Sequence, residues 1–444
     1  MFKELWIVSL SKLIFMEQKK LMLLGGLRYL LPVIKAAHKL GYYVITCDYL
    51  PNNIAHKYSD EYVNVSIIDK EAVLKAAQEK QIDGIMSFAV DPGVVTAAYV
   101  AEKMNLPFQG PYQSVSILQD KSKFRQFLTE NGFNVPNAKG YTCLEDALKD
   151  VDFFNWPVIV KPVDSAGSKG VSRVDNPDNL AKAVEYALSE AHNGHFIIED
   201  FLEKEGNSSD TDCFTIDGKL VYCSFSDQRF DVKATNPYTP SAYSWPSTIP
   251  AWAQEELQSE LQRLMTLLDM KTGIYNVETR LCTNGKPYIM EVSPRGGGNR
   301  LAEMLNYSTR TKLVECAVKA AMGETIADLT APHYYGHLAE VILHADKAGI
   351  FKQIDIAEDK QERVVETDLW VSPGDKVESF DGANHAIGTL VVRFNTMEEL
   401  ETAMSNIESW CKVVVDSPSE IPPPISVIRR ILVRPLDDVK PLAA

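Results

Sequence analysis

The sequence predicts an α/β and α+β protein, with an N-terminal domain on a parallel sheet, a central α+β unit and a small C-terminal α+β domain. Three observations predict it. Strand and helix patterns alternate from Lys20 to Phe88. Two hairpin signals, Asp217-Gly218 and Asn284-Gly285, punctuate the middle. Short strand-like runs flank one amphipathic helix in the tail.

The elements follow in order. Residues 1–18 read as an N-terminal extension. Leu5 to Phe15 is fairly apolar but includes Lys12 and is too short to span a bilayer, which takes about 20 residues. Met16 is an alternative start. Leu21–Leu24 is an apolar run ended by Gly25-Gly26. Leu30, Val33, Ile34, Ala37 and Leu40 then recur at helical spacing until Gly41. Tyr43–Cys47 is the next strand, and a further cycle follows in "YVNVSIID", "KEAVLKAAQEKQ" and "DGIMSF". Such doubly wound sheets bind ligands at the carboxyl ends of their strands. The Gly pair after the first strand reads equally well as a tight turn, since no G-x-G-x-x-G is present.

Residues 19–118 form this first domain, and 119–330 form the central one. Within the latter, residues about 155–203 make a subdomain: "WPVIVKPVDSAGSKGVSRV" as strand, loop and strand, then the helix "NLAKAVEYALSEAH" and the strand "HFIIEDFL". "DTDCFTIDGKLVYCSF" reads as a hairpin and "EELQSELQRLMTLLDM" as a helix. "GIYNVETRLCTNGKPYIMEVSP" reads as a second hairpin. "FSDQRFDVKATNPYTPSAYSWP" reads as a surface Ω-loop, or as a source of pocket aromatics. Residues 331–444 hold "HLAEVILHA", "AIGTLVVRF" and "TMEELETAMSNIESW", then a Pro-rich extended tail.

Composition narrows the function. Hydrophobic residues make up 45% and charged residues 24%, the balance of a globular protein with a sizeable core. The formal charge of −15 argues against a nucleic-acid backbone as partner. No stretch predicts a membrane-spanning helix. The 7 cysteines include no C-x-x-C pair and read as reduced thiols of a cytoplasmic protein.

Two stretches carry chemistry. In "KPVDSAGSKGVSRV" a strand ends at Lys161, and small residues lead to Gly170. Backbone N–H groups of such a loop can approach an anion while the ammonium neutralises it. Taken alone, the loop reads more readily as a plain hairpin. In "YNVETR", alternation puts Asn276, Glu278 and Arg280 on one face. The return strand ends at Glu291, so two carboxylates can share a divalent ion. In isolation they read more readily as acids that are solvated or paired with Arg280 and Arg295.

Together, "LQDKSKFRQFL", "PVIVKPVDSAGSKGV", "IIEDFL" and "YIMEVSPRGGG" resemble, in order and spacing, the ATP-grasp carboxylate–amine ligases. The branch is that of carbamoyl-phosphate synthetase, biotin carboxylase, glycinamide-ribonucleotide synthetase and the L-amino-acid ligases. The resemblance runs from about Lys20 to Val415. It implies ATP and Mg²⁺ (or Mn²⁺) as cofactors, small-molecule carboxylate and amine substrates, and a homodimer.

Position by position, it implies that Lys121 (Lys123 as fallback) and Lys161 contact ATP. Ser165, Gly167, Ser168 and Gly170 belong to a loop folding over the phosphates. Glu199, Phe201 and Leu202 form the adenine hinge, and Glu205 binds ribose, with Asp210 and Asp212 as competitors. Glu278 and Glu291 bridge magnesium, and Arg295 steadies the γ-phosphate and acyl phosphate. Ser293 stands where the family's E-x-N-P-R pattern has a metal-binding Asn, which implies a weaker or water-mediated second metal. Arg280 and Arg300 are candidates for a substrate carboxylate, with a surface cation as the other reading of Arg300. Gly296–Gly298 would let substrate approach the backbone.

The expected reaction is C–N bond formation through an acyl phosphate, with release of ADP and phosphate. The alternatives are a bicarbonate-activating carboxylase-like enzyme, a purine-pathway ligase, and a non-catalytic ATP-binding subunit.

Overall fold

The structure is a computed structural model that describes residues 18–165 and 169–416. The expectations for the N-terminal extension up to residue 17, for Gly167 and Ser168, and for the tail beyond Asp416 lie outside the described residues.

The first domain is the parallel sheet the sequence predicts. Its strands are β1 (Lys20–Leu24), β2 (Tyr43–Asp48), β3 (Glu61–Asn64) and β4 (Gly84–Ser87), in the order β3-β2-β1-β4. The helix Leu31–Lys39 buries Val33, Ile34, Ala36 and Ala37, and Gly41 beyond it takes φ +87°. The Asp69 carboxylate accepts the Ala72 N–H and caps the helix Lys70–Lys80.

Four strands build the subdomain sheet: β5 (Ala138–Tyr141), β6 (Val158–Pro162), β7 (Ser172–Val174) and β8 (Phe196–Asp200), in the order β5-β8-β6-β7. It begins before residue 155, because Ala138–Tyr141 pairs with β8. The helix Leu180–Glu190 packs Leu180, Ala183, Val184 and Ala187 into this sheet's core.

Six strands follow: β9 (Ser209–Ile216), β10 (Lys219–Cys223), β11 (Asp227–Phe230), β12 (Pro240–Trp245), β13 (Gly273–Leu281) and β14 (Pro287–Ser293). The central sheet runs β10-β9-β13-β14. Both hairpin turns are where the sequence places them: Asp217 and Gly218 take φ +49° and +78°, and Gly285 takes +75°. The expected Ω-loop instead contains β11 and β12, which pair with each other. Its aromatics are interior: Tyr243 and Trp245 are fully buried against Leu301, Met304, Leu338 and Val391.

The last strands are β15 (His337–Leu343), β16 (Gly349–Ile356), β17 (Val364–Leu369), β18 (Lys376–Val377), β19 (Gly388–Phe394) and β20 (Cys411–Asp416). They complete a five-stranded sheet, β11-β12-β15-β19-β17, and a three-stranded one, β18-β16-β20. Because β12 pairs with β15, a single sheet crosses residue 330. The largest apolar cluster likewise joins Leu21, Phe88, Tyr222, Trp245, Met304 and Leu338. All 7 cysteines are free thiols. Among the described residues no helix is long and apolar enough to cross a membrane.

Candidate functional site

The strand register aims the first group of side chains. β6 and β8 are antiparallel, with Ile159 opposite Glu199 and Lys161 opposite Ile197. Alternation then puts Lys161 and Glu199 on one face. Lys161 Nζ lies 2.5 Å from Glu199 Oε1. Arg125, from the helix Lys121–Glu130, donates through Nε to Glu199 Oε2 at 3.0 Å. Its Nη1 donates to the Met290 carbonyl on β14 at 2.8 Å, which ties this face to the central sheet.

Glu199 is therefore a buried anion between two cations. Burial works against its charge, but Arg125 and Lys161 outweigh burial and hold its carboxyl down at about 2. Burial, reinforced by Arg125 and Lys121 and opposed by Glu199, lowers the Lys161 ammonium below the usual lysine value. The cation is thus positioned yet poorly solvated, a state that a phosphate would relieve.

At the hinge, the Phe201 N–H donates to the Pro157 carbonyl at 2.9 Å, and the Leu202 carbonyl accepts from Arg280 Nη1 at 3.1 Å. The Arg173 guanidinium sits 4.5 Å over the Phe201 ring. Glu205 is exposed on the following turn, with its N–H bonded to the Leu281 carbonyl at 2.8 Å. Lys121 Nζ donates to the Ser165 carbonyl at 3.0 Å, so one end of the small-residue loop is tied to the expected ATP lysine. Lys123 pairs instead with Asp120 at 3.4 Å on a largely exposed stem. Gly170, with φ +72°, closes the loop against Pro162, where a Cβ would meet ring carbons at 2.7 and 2.9 Å.

The hairpin brings the two glutamates together. Glu278 on β13 is the direct Cα partner of Glu291 on β14, immediately before a bulge. Two like charges at such positions repel. Burial raises the Glu278 carboxyl; Arg280, at 3.7 Å, opposes that and Glu291 reinforces it. Lys121 Nζ is 3.6 Å from Glu291 Oε2. Two facing carboxylates, each with a cation at 3.6–3.7 Å rather than in a close hydrogen bond, are a hard-oxygen donor set, and these residues fit Mg²⁺. Ser293 contributes less: its hydroxyl accepts from Gln119 Nε2 at 2.7 Å and donates to Asp91 Oδ1 at 2.9 Å.

Arg295 is clamped by the same aspartate. Its Nε and Nη2 donate to Asp91 Oδ1 and Oδ2 at 2.8 and 2.6 Å, a bidentate pair. Burial opposes both charges, but the pair prevails: Asp91 is held below the usual carboxylate range and Arg295 is raised.

Packing accounts for two of the glycines that follow, Gly296 and Gly297, and leaves Gly298 as the open position for the expected approach of substrate. A Cβ on Gly296 would meet the Phe88 ring at 2.3 Å. One on Gly297 would meet Leu301, Asn276 and Asp212 at 2.6–2.9 Å, whereas Gly298 has nothing within 4 Å. The Gly297 N–H donates to Asp212 Oδ1 at 2.7 Å. Gly297→Ala should cost about 1–3 kcal/mol by overpacking, while Gly298→Ala should be near neutral. Urea denaturation of both variants checks this.

Asp210 and Asp212 sit on this side of the sheet, with Asp210 paired in register with Glu278. Asp210 accepts from Asn276 Nδ2 at 2.7 Å and from Tyr243 OH at 3.0 Å. Burial, reinforced by Glu278, raises Asp210 to about 7. Burial also raises Asp212 to about 7, opposed by the Gly297 N–H and reinforced by Asp210.

The two substrate candidates have partners within the chain. Arg280 Nε donates to Ser208 Oγ at 3.2 Å. Arg300 is mostly buried; it donates to Thr389 Oγ1 at 2.7 Å and pairs with Glu366 at 2.7 Å and Glu303 at 3.3 Å. That replaces the surface-cation reading of Arg300 with an internal ion pair.

Sequence reasoning missed Arg125, Gln119 and Asp91. Arg125 and Gln119 lie inside the quoted "LQDKSKFRQFL", where only the lysines carry an expected role. Asp91, in "FAVDPGV", has no local signal, because its partner Arg295 is far away in sequence.

Comparison with known proteins bears on the fold that carries these residues. Residues 154–303 match the family model described as an ATP-grasp domain. The chain is 23% identical over 292 residues to the carbamoyl phosphate synthase large chain, C-terminal section, of Aquifex aeolicus, covering 65% of this chain and 53% of that protein. It thus spans about half the length of that relative. It is 25% identical over 339 residues to the formate-dependent phosphoribosylglycinamide formyltransferase of a Synechococcus species, covering 74% of this chain and 82% of that one. The crystal structure of an L-amino acid ligase from Bacillus licheniformis superposes with a TM-score of 0.74 at 21% identity, covering 91% of this chain and 100% of that one. Residues 154–303 are an ATP-grasp domain.

Proposed function

We propose that the protein is an ATP-dependent ligase that joins a small carboxylate to an amine with release of ADP and phosphate. The observation that carries this reading is the meeting of four side chains. Lys161 and Lys121 approach from the subdomain side, and Glu278 and Glu291 from the hairpin, close enough to perturb one another's charge.

A carboxylate oxygen attacks the γ-phosphorus of ATP and ADP departs, giving an acyl phosphate. The amine then attacks the acyl carbon and phosphate leaves. Transfer of this kind asks mainly for positioning and charge neutralisation. Lys161, held by Glu199, and Lys121, held by the Ser165 carbonyl, supply fixed positive charge for the phosphates. Glu278 and Glu291 would hold magnesium, which would supply charge to neutralise phosphate oxygens. Arg295, steadied by Asp91, offers its guanidinium beside Ser293 and the end of β14. Glu205 remains the ribose candidate at the hinge turn. The homodimer belongs to the same proposal and rests on the resemblance alone, and the cytoplasmic location rests on the cysteine pattern.

A second reading, a non-catalytic ATP-binding subunit, is favoured by one observation: the Ser293 hydroxyl is engaged by Gln119 and Asp91. Measuring ADP release with ATP, Mg²⁺ and a panel of carboxylate and amine pairs separates the two. Release that needs both substrates supports the ligase. Tight ATP binding with no ADP from any pair supports the subunit.

A further inference from the structure

A second cluster of donor side chains lies at one end of the five-stranded sheet, among residues that the proposed chemistry does not use. β11 and β15 are the two neighbours of β12, and each is antiparallel to it. They therefore run in the same direction and end on the same side of the sheet. Asp231 directly follows the end of β11 at Phe230, and His344 directly follows the end of β15 at Leu343. Asp346 joins them there: one donor atom from each of Asp231, His344 and Asp346 lies within 4.8 Å of the other two.

The imidazole is fixed in place and in tautomer. Its Nδ1 lies 2.7 Å from the Ile342 carbonyl. A carbonyl can only accept, so Nδ1 carries the proton. The buried Phe380 ring stacks on the imidazole, with centroids 4.1 Å apart and planes 19° apart. In the neutral ring Nε2 then presents its lone pair, and it faces Asp231 Oδ2 at 3.3 Å. An imidazole that bonds backbone through one nitrogen and offers the other is the form in which histidine binds metal. Asp231 is held as well: its Oδ1 accepts the Lys233 N–H at 2.8 Å, which leaves Oδ2 to the imidazole.

Two electron-rich atoms face each other stably only with a proton or a cation between them. The distance and the third donor point to the cation. A hydrogen bond from an imidazolium to a carboxylate is usually about 2.7–2.9 Å long. Ligands at about 2.0–2.1 Å from a tetrahedral metal stand about 3.3–3.4 Å apart. The observed 3.3 Å matches that edge. A proton would leave Asp346 with no part, whereas a metal takes it as a third ligand. Lys233 is within electrostatic reach of both aspartates, but its ammonium bonds the two Glu408 oxygens at 2.9 and 2.6 Å. His344 and Asp231 are mostly buried and Asp346 is exposed, so an ion enters from solvent beside Asp346.

We propose that Asp231, His344 and Asp346 bind one divalent ion of the zinc type, with water as the fourth ligand, and that the ion clips the ends of β11 and β15 together across β12. An imidazole beside carboxylates suits such an ion better than magnesium, which prefers oxygen alone. The site is separate from the Glu278–Glu291 pair and does not depend on the ligase reading.

The test is calorimetric titration of Zn²⁺ into the full chain, stripped with a chelator and then kept in excess Mg²⁺, with thermal unfolding run beside it. Wild type should bind Zn²⁺ and gain melting temperature from it. His344→Gln and Asp346→Asn should each bind at least about tenfold more weakly and lose that gain, whereas Glu278→Gln should keep both. Asp346 is exposed, so its variant should melt like the metal-free wild type, and it carries the test even where His344→Gln folds poorly. No Zn²⁺ binding by wild type, unchanged affinity in Asp346→Asn, or a loss that appears instead in Glu278→Gln overturns the proposal and leaves an imidazolium–carboxylate pair in its place.

Discussion

Glu199→Ala should destabilise the protein by about 3–5 kcal/mol, the cost of leaving buried cations without their counter-ion. Its side chain is only 4% exposed, and it alone lies between Lys161 Nζ at 2.5 Å and Arg125 Nε at 3.0 Å. Removing it strands two positive charges in the seam where the subdomain sheet meets the helix Lys121–Glu130. Chemical denaturation with urea measures the loss directly.

The pH dependence has a definite sign. The folded-state carboxyl, at about 2, lies below the ordinary glutamate value near 4.5. Its contribution is present above about pH 4.5 and is lost as pH falls toward about 2. Wild-type stability should therefore show an acid limb in that window that is reduced in Glu199→Gln. An unchanged limb in that variant would show that Glu199 is not a held anion.

Glu278→Gln and Glu291→Gln should each lower ATP turnover by at least about 10³-fold, since each removes a carboxylate proposed to hold the magnesium that neutralises the transferred phosphate. Folding should survive, because the glutamates face each other and repel; each substitution should be neutral or mildly stabilising. A coupled assay for ADP, run beside thermal unfolding, separates the two effects. Near-wild-type turnover in either variant would overturn the metal assignment. The same pairing of readouts applies to Lys161→Ala, but there stability should also fall, because Glu199 loses one of its two partners.

Much of this was legible in the sequence, for local reasons. The Asn284-Gly285 turn and the alternation of Asn276, Glu278 and Arg280 determine which side chains share a face. The observed register of Glu278 with Glu291 follows from them. The apolar run before Lys161 and the Asp217-Gly218 turn were equally local. What escaped reading depends on contacts between distant segments. Asp91 gains its role only because Arg295 folds against it. Arg125 carries no expected role until β8 brings Glu199 beneath it. The segment from Phe225 to Pro246 read as loop because Pro237, Pro240 and Pro246 interrupt it. Tertiary pairing of β12 with β15 overrides those breaks, and buried Tyr243 and Trp245 reward it. The Gly296-Gly297 pair was recognised as unusual, but its cause, close packing on Phe88 and Asp212, required the three-dimensional neighbours.

The convergence of Lys161, Glu278 and Glu291 on one nucleotide is most directly tested by a crystal structure of the full chain with Mn²⁺ and a non-hydrolysable ATP analogue. The expected result is an anomalous manganese peak held by both glutamates, with the analogue's phosphates against Lys161. Ordered analogue with the metal held only elsewhere, as at the Asp231, His344 and Asp346 group, would contradict it.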